Sequence, residues 1–267
     1  MRILSCLALL AATALVSSPA AANGRFPRSE RLLEDPRDAS HLILAGTFGL
    51  IVSSNAGDAW DYVCEASFAE AGLDLDPLVA LASDGALLAG IYAGIARSPD
   101  ACDFTRTLGM SNRQASPDFA LAASQPGRAL AVLVQLLEGG LRQNQLYRSD
   151  DDARTWAPLG PPMPDSIRAV VTIVVAPSDA NRVYLSGLDA DGEGVLLRSD
   201  DGGETVSATP VPIDASHGEV PYIAAVDPEN ADALYLRTDE WDFVREEQAS
   251  HANDALLYSN DAGATFS

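Results

Sequence analysis

Trp241 stands among carboxylates at Asp239, Glu240 and Asp242, inside a run of polar and aromatic residues spanning 238–254. An apolar platform beside carboxylates is the arrangement that seats a sugar ring and, with suitable spacing, protonates a glycosidic bond. The same run also reads as a short surface helix with its aromatic residues tucked down. His217, Glu219 and Arg168 add further polar chemistry, each just ahead of a predicted strand. Phe48 and Tyr92 hold corresponding places in AGTFGLIV and AGIYAGIA. There they make either an aromatic rim for a sugar or peptide or hairpin packing against neighbouring strands.

Other chemistries lack their residues. Leu188-Asp189-Ala190-Asp191-Gly192-Glu193-Gly194 has neither the ligand spacing nor the closing Glu of a calcium loop, and reads as a solvated hairpin. There is no G-x-S-x-G, no H-E-x-x-H and no Cys/His spacing for zinc, and His41, His217 and His251 are scattered. No metal, no cofactor and no assignable catalytic residue are expected.

The elements that position these residues are set by a repeat. LLRSDDGGETV, residues 196–206, has the core Ser199-x-Asp201-x-Gly203-x-Thr205. Its Ser and Asp oxygens accept hydrogen bonds from turn N–H groups, and its glycines tolerate positive φ. Copies occur at Ser53-x-Asn55-x-Gly57-x-Ala59-Trp60, Ser98-x-Asp100-x-Cys102-x-Phe104, Ser149-x-Asp151-x-Ala153-x-Thr155-Trp156 and Ser259-x-Asp261-x-Gly263-x-Thr265-Phe266. From Ser to Ser the steps are 45, 51, 50 and 60 residues. A period of this size points to a propeller or solenoid.

The pattern S-x-D-x-G-x-T-W resembles the Asp-box, or BNR, repeat of β-propellers. That group includes sialidases, sortilin-type receptors, xyloglucan-degrading enzymes and photosystem assembly factors, and the resemblance covers about residues 30–267. It implies an all-β propeller of four-stranded blades. It also implies that the boxes are structural turns, with ligands held on the opposite face around the central channel. The sialidase set of three arginines, a Tyr/Glu pair and an Asp acid does not map onto this chain. Arg25-Phe26-Pro27 stands where that family has Arg-Ile-Pro. The resemblance therefore transfers no catalytic residue, and it favours a binding module for carbohydrate or a cell-surface protein. The alternative is a sialidase-like or other glycoside hydrolase.

Each repeat parses into four strands: about 31–34, 41–46, 50–54 and 59–64 in the first; 78–82, 86–91, 94–97 and 104–108 in the second. The third has 119–123, 129–136, 145–148 and 155–159, and the fourth 169–175, 182–186, 195–198 and 205–209. The fifth has 222–226, 233–237, 255–258 and a strand starting at Thr265. AVVTIVVA, residues 169–176, is apolar throughout and reads as a strand buried on both faces. Asp35-Pro36, Ala176-Pro177 and Asp227-Pro228 each follow a first strand, where a residue without an N–H fits a turn. The last turn stops as its outer strand begins, as expected of a piece of a six- or seven-bladed ring. A five-bladed ring closed by the N-terminal segment is the alternative.

Arg2, the apolar run 3–16 and Ser17-Ser18-Pro19-Ala20-Ala21-Ala22 form a secretory signal peptide with cleavage expected near Ala22. The propeller would then occupy 23–267, secreted or periplasmic, without a membrane span. In that compartment Cys64 and Cys102 are expected to be bridged. The 38 acidic residues against 17 basic ones, a net charge of −21, exclude nucleic acid as a partner. The oligomeric state is not legible.

Overall fold

The computed structural model describes residues 29–64, 78–91, 94–109, 118–136, 142–213, 218–242, 247–248 and 254–267. They form five antiparallel blades of a β-propeller. Blade 1 is β1 (Ser29–Asp35), β2 (Asp38–Gly46), β3 (Gly49–Ser53) and β4 (Asp61–Cys64). Blade 2 is β5 (Val79–Leu81), β6 (Leu87–Ile91), β7 (Gly94–Ser98) and β8 (Thr105–Gly109). Blade 3 is β9 (Asp118–Leu121), β10 (Ala129–Leu136), β11 (Arg142–Ser149) and β12 (Ala157–Leu159). Blade 4 is β13 (Ile167–Val175), β14 (Val183–Asp189), β15 (Gly194–Ser199) and β16 (Ser207–Pro210). Blade 5 is β17 (Glu219–Val226), β18 (Leu234–Asp242), β19 (Glu247–Gln248) and β20 (Leu256–Ser259). In blades 1–4 the strands pair in chain order. In blade 5, β20 pairs the first half of β18 while β19 pairs its far end.

The repeated turn closes each β3–β4-type hairpin by side-chain chemistry. Ser199 Oγ accepts the N–H of Gly203 at 2.8 Å and of Asp201 at 3.2 Å, and donates to Asp201 Oδ1 at 2.7 Å. Asp201 Oδ1 accepts the Thr205 N–H at 2.9 Å, and Oδ2 accepts its hydroxyl at 2.6 Å. One hydroxyl thereby uses its donor and both lone pairs. The same five bonds recur at 149–155 and at 259–265. In four turns two successive residues have positive φ: Ala56 and Gly57, Asp152 and Ala153, Gly202 and Gly203, Ala262 and Gly263. The first of each pair donates its N–H to the neighbouring β1–β2-type turn, at Ser40, Gly127, Asn181 and Asp232 respectively. Both sets of turns therefore share one face of the disc.

The second turn departs from this pattern. Only Ala101 has positive φ there, and the Cys102 N–H bonds Asp100 Oδ1 at 3.0 Å instead of Ser98 Oγ.

Blades pack face to face through apolar clusters. One joins blades 1 and 2 around Ile43, Leu50, Leu87 and Ala89; the next joins blades 2 and 3 around Leu88, Ile95, Ala131 and Leu133. Leu130, Ile173, Val183 and Leu185 centre the contact between blades 3 and 4, and Tyr184, Leu196, Leu234 and Leu236 that between blades 4 and 5. The apolar residue that follows the second to fifth repeated turns packs back into the contact with the preceding blade: Phe104, Trp156, Val206 and Phe266. Trp156 Nε1 also donates to Thr107 Oγ1 of blade 2 at 3.2 Å.

Three expectations need correction. Residues 238–242 and 247–248 are neither helix nor irregular loop: β18 runs on to Asp242, and β19 pairs Trp241 with Gln248 and Asp242 with Glu247. The strand carrying AVVTIVVA is only half-buried at Ala169, Val171, Thr172 and Val174, because one edge of it faces an open channel. Cys102 is a free, exposed thiol rather than half of a bridge. It lies in the second turn, whereas Cys64 ends β4 opposite Gly49, at the other end of its blade.

Candidate site in the central channel

The first strands of all five blades surround a cavity of about 570 Å³. Register places one equivalent residue of each blade at the same level of it. In every blade the turn serine pairs with a residue on the second strand: Leu42, Leu87, Ala129, Val183 and Leu234. Three positions further along that strand stand Ala45, Gly90, Val132, Ser186 and Arg237. Their partners on the first strand are Arg31, Leu78, Asp118, Thr172 and Tyr222. All five line the cavity, so the channel carries a ring of Arg, Leu, Asp, Thr and Tyr.

Three of these side chains stitch their blade to the backbone of the next. Arg31 Nη1 donates to the Val79 carbonyl at 3.3 Å. Asp118 Oδ2 accepts the Ile173 N–H at 2.7 Å, and Thr172 Oγ1 accepts the Ile223 N–H at 3.0 Å. Asp118 is hemmed in by protein, and burial raises its carboxyl to about 6, against the opposing pull of two backbone N–H groups and of Arg31. Tyr222 is raised by burial and lowered by Arg237, whose guanidinium lies 4.7 Å from the centre of the Tyr222 ring. Arg237 also pairs with Asp239. The ring thus offers a carboxyl that titrates close to neutrality, two guanidinium groups, a hydroxyl and an aromatic ring, in a cavity sized for a small ligand.

Two other depressions offer less. One of about 450 Å³ on the turn face is lined mainly by apolar groups, including Leu33, Leu81, Leu121 and Pro126. Three of its polar side chains are engaged: Arg128 with Asp150, and Asp152 with the Ser83 N–H and hydroxyl. The other lies beside the 188–194 hairpin, where Asp189 Oδ1 accepts the N–H groups of Asp191 and Glu193 at 2.9 Å. That Asp closes its own turn, and among the described residues no group of three His, Cys, Asp or Glu is placed to hold a metal.

Of the residues singled out from sequence, five are described, and these lie at the strand ends opposite the repeated turns. Phe48 is half-buried in the β2–β3 turn, where its carbonyl accepts the Tyr62 hydroxyl at 2.7 Å. Glu219 opens β17 and is buried. Arg168 is the second residue of β13 and is exposed. Trp241 and Asp242 end β18, while Tyr92 and His217 lie outside the described residues. Asp118, Thr172, Tyr222 and Arg31 were not singled out. The available signal was an Asp directly ahead of the apolar FALAA, at the point where the other repeats place an inner strand.

Among the described residues no helix is long and apolar enough to cross a membrane. No family model and no curated protein matches the chain. Solved structures do. An ancestral GH74 enzyme is 18% identical with a TM-score of 0.59, over 86% of this chain and 29% of its own. The GH74 enzyme of Niastella koreensis is 15% identical with a TM-score of 0.57, over 90% and 38%. A protein of unknown function from Dyadobacter fermentans is 15% identical with a TM-score of 0.58, over 90% and 82%. The chain spans about a third of the length of the two GH74 enzymes, and its likeness to all three is that of the β-propeller fold.

Proposed function

We propose that this chain is an exported Asp-box β-propeller that binds carbohydrate in its central channel. The observation that supports the reading is the ring of Arg31, Asp118, Thr172 and Tyr222, with Arg237 over the tyrosine, in a cavity of about 570 Å³. Sugar hydroxyls are both donors and acceptors, and this ring presents both kinds of partner beside an aromatic surface. Phe48, Arg168, Glu219, Trp241 and Asp242, at strand ends away from the repeated turns, would form the rim of the same mouth. A cell-surface protein would meet the molecule there through its glycan.

The fold of the two GH74 enzymes is consistent with a carbohydrate ligand. Calorimetric titration with a panel of neutral and acidic oligosaccharides tests the proposal. Saturable binding that Tyr222→Ala and Arg31→Ala each weaken at least about tenfold supports it, since lost polar and stacking contacts are worth that much. Binding that survives both substitutions unchanged moves the ligand out of the channel and overturns it.

One observation favours a glycoside hydrolase as the second reading. A carboxyl held near 6 is suited to general acid catalysis at neutral pH. Glycoside cleavage ordinarily needs a second carboxyl across the bond, and Asp118 is the one carboxylate among the described residues lining this cavity. Turnover of a fluorogenic glycoside, abolished by Asp118→Asn or Glu219→Gln, would replace binding with catalysis.

A further inference from the structure

The central channel changes character along its axis. At the level of the ring it offers Arg31, Asp118, Thr172 and Tyr222. Two residues further along the same first strands, towards the repeated turns, stand Leu33, Ala80, Ala120, Val174 and Ala224. Each lines either the ring cavity or the depression of about 450 Å³ on the turn face, and none has a polar atom in its side chain. Strands that diverge at the ring agree here on aliphatic residues.

The two cavities adjoin at Ala80 and Leu121, which line both. Beyond that junction the turn-face cavity is walled by Leu33, Pro36, Leu81, Ala123 and Pro126, and its described lining contains no aromatic side chain. Of its charged groups, Arg128 and Asp152 are held by partners and Glu34 is exposed.

The two levels select different chemistry. The ring can satisfy hydroxyl groups, whereas a hydroxyl pressed against Leu33 or Leu81 would lose its water without gaining a partner. A ligand that reaches past the ring is therefore favoured only if its far part is apolar, and burying that part is favourable in proportion to its area. A wholly apolar ligand would fill the turn-face cavity and leave the ring's polar groups unused.

We propose that the ligand is amphipathic: a glycoside whose sugar sits in the ring and whose aliphatic chain runs into the turn-face cavity. This rests on carbohydrate binding in the channel and names the class of carbohydrate. β1 and β9 would then meet both ends of one molecule, with Arg31 and Asp118 at the sugar and Leu33 and Leu121 at the chain.

The experiment is calorimetric titration of the full chain with methyl, hexyl and octyl glycosides of glucose, galactose and glucuronic acid, below their micelle concentrations. For a recognised sugar, affinity is expected to rise about three- to fourfold for each methylene buried. Ala123 lines the turn-face cavity and is exposed in the turn after β9. Ala123→Glu therefore puts a charge there without entering the core, as circular dichroism checks. It is expected to lower the ratio of octyl to methyl affinity at least about tenfold, whereas Tyr222→Ala weakens methyl and octyl glycosides alike. Methyl and octyl glycosides of equal affinity overturn the proposal while leaving sugar binding in the channel intact. An octyl advantage that survives Ala123→Glu overturns it too, because the chain then lies elsewhere. Octyl binding that Tyr222→Ala leaves unchanged has the same consequence, since the chain then binds apart from the ring. If neither these glycosides nor the oligosaccharides bind, the channel reading itself has failed, and the amphipathic ligand with it.

Discussion

The repeated turns and the channel ring are both five-fold sets of equivalent positions, and they treat equivalence in opposite ways. At the turns the chain keeps the same chemistry from blade to blade: Ser149, Ser199 and Ser259 make identical bonds to identical partners. At the ring the same register yields Arg31, Leu78, Asp118, Thr172 and Tyr222, no two alike. In four of the five turns the serine hydroxyl must accept the same backbone N–H, so local hydrogen bonding fixes the residue there. A channel side chain has no common backbone pattern to satisfy: Arg31, Asp118 and Thr172 each bond the next blade differently, so residue type there is free to vary. Uniformity marks scaffold here, and divergence at an equivalent position marks the place where the proposed ligand would be met from five sides.

The sharpest way to break this contrast is to disturb a turn glycine. Gly203 sits at φ 98°, and a Cβ there would stand 2.8 Å from Leu159 Cδ2 in the contact with blade 3. Gly203→Val adds a β-branched side chain to left-handed backbone and overpacks that contact. The expected loss is about 3 kcal/mol or more, read as a shift in the urea midpoint. An equally large loss from Leu78→Val in the ring would remove the distinction between scaffold and lining.

A second pair of variants compares a regular turn with the reorganised one. Ser199→Ala leaves the buried Gly203 N–H without its acceptor and is expected to cost about 2 kcal/mol. Ser98→Ala removes a bond to Asp100, but the Cys102 and Asp103 N–H groups keep their Asp100 acceptor. It is expected to cost about half as much, by the same denaturant measurement.

The ring gives an effect of opposite sign. Burial raises the folded-state pKa of Asp118 to about 6, above its unfolded value of 3.8. Below pH 4 both states hold the proton and the group is neutral to stability. As pH rises through 6 the native state must bury a carboxylate, a cost that approaches about 3 kcal/mol. Asp118→Asn keeps an oxygen for the Ile173 N–H without the charge. It is expected to stabilise the fold by about 1–2 kcal/mol at pH 7.5 and by little at pH 3.5, while weakening ligand binding. Stabilisation with loss of binding is the signature of a functional position; a scaffold residue would lose stability.

These contrasts also explain what the sequence disclosed. The turns were legible because Ser, Asp and Gly at fixed spacing are demanded by local hydrogen bonding, and strand positions followed from them within a few residues. The ring was not. Its members share no residue type, and their alignment depends on pairings such as Asp118 with Val132, which no spacing reveals. Trp241 and Phe48 attracted notice by type. Yet the carboxyl with the strongly raised pKa is Asp118, in a segment that reads as an ordinary entry into a strand. Burial is a property of the assembled channel, so only the structure discloses it.

The smallest effect concerns acid. The Thr205 hydroxyl and N–H hold Asp201 at about 2, Thr265 does the same for Asp261, and Thr155 holds Asp151 at about 2 against the opposing effect of burial. A carboxylate depressed in the native state stabilises it above the unfolded pKa, and that stabilisation is lost as pH falls from about 4 towards 2. The first turn has Asn55 in place of Asp and does not titrate; its amide oxygen accepts the Ala59 N–H at 2.8 Å. Asp201→Asn is therefore expected to flatten the fall of stability with acid by up to about one proton per molecule. Asn55→Asp combined with Ala59→Thr completes the five-bond turn and is expected to steepen it by the same amount. The check is the slope of unfolding free energy against pH between 4 and 2. A slope unmoved by both changes would mean that these carboxylates are held as strongly in the unfolded chain, and that the turns, though identical, contribute nothing through their charge.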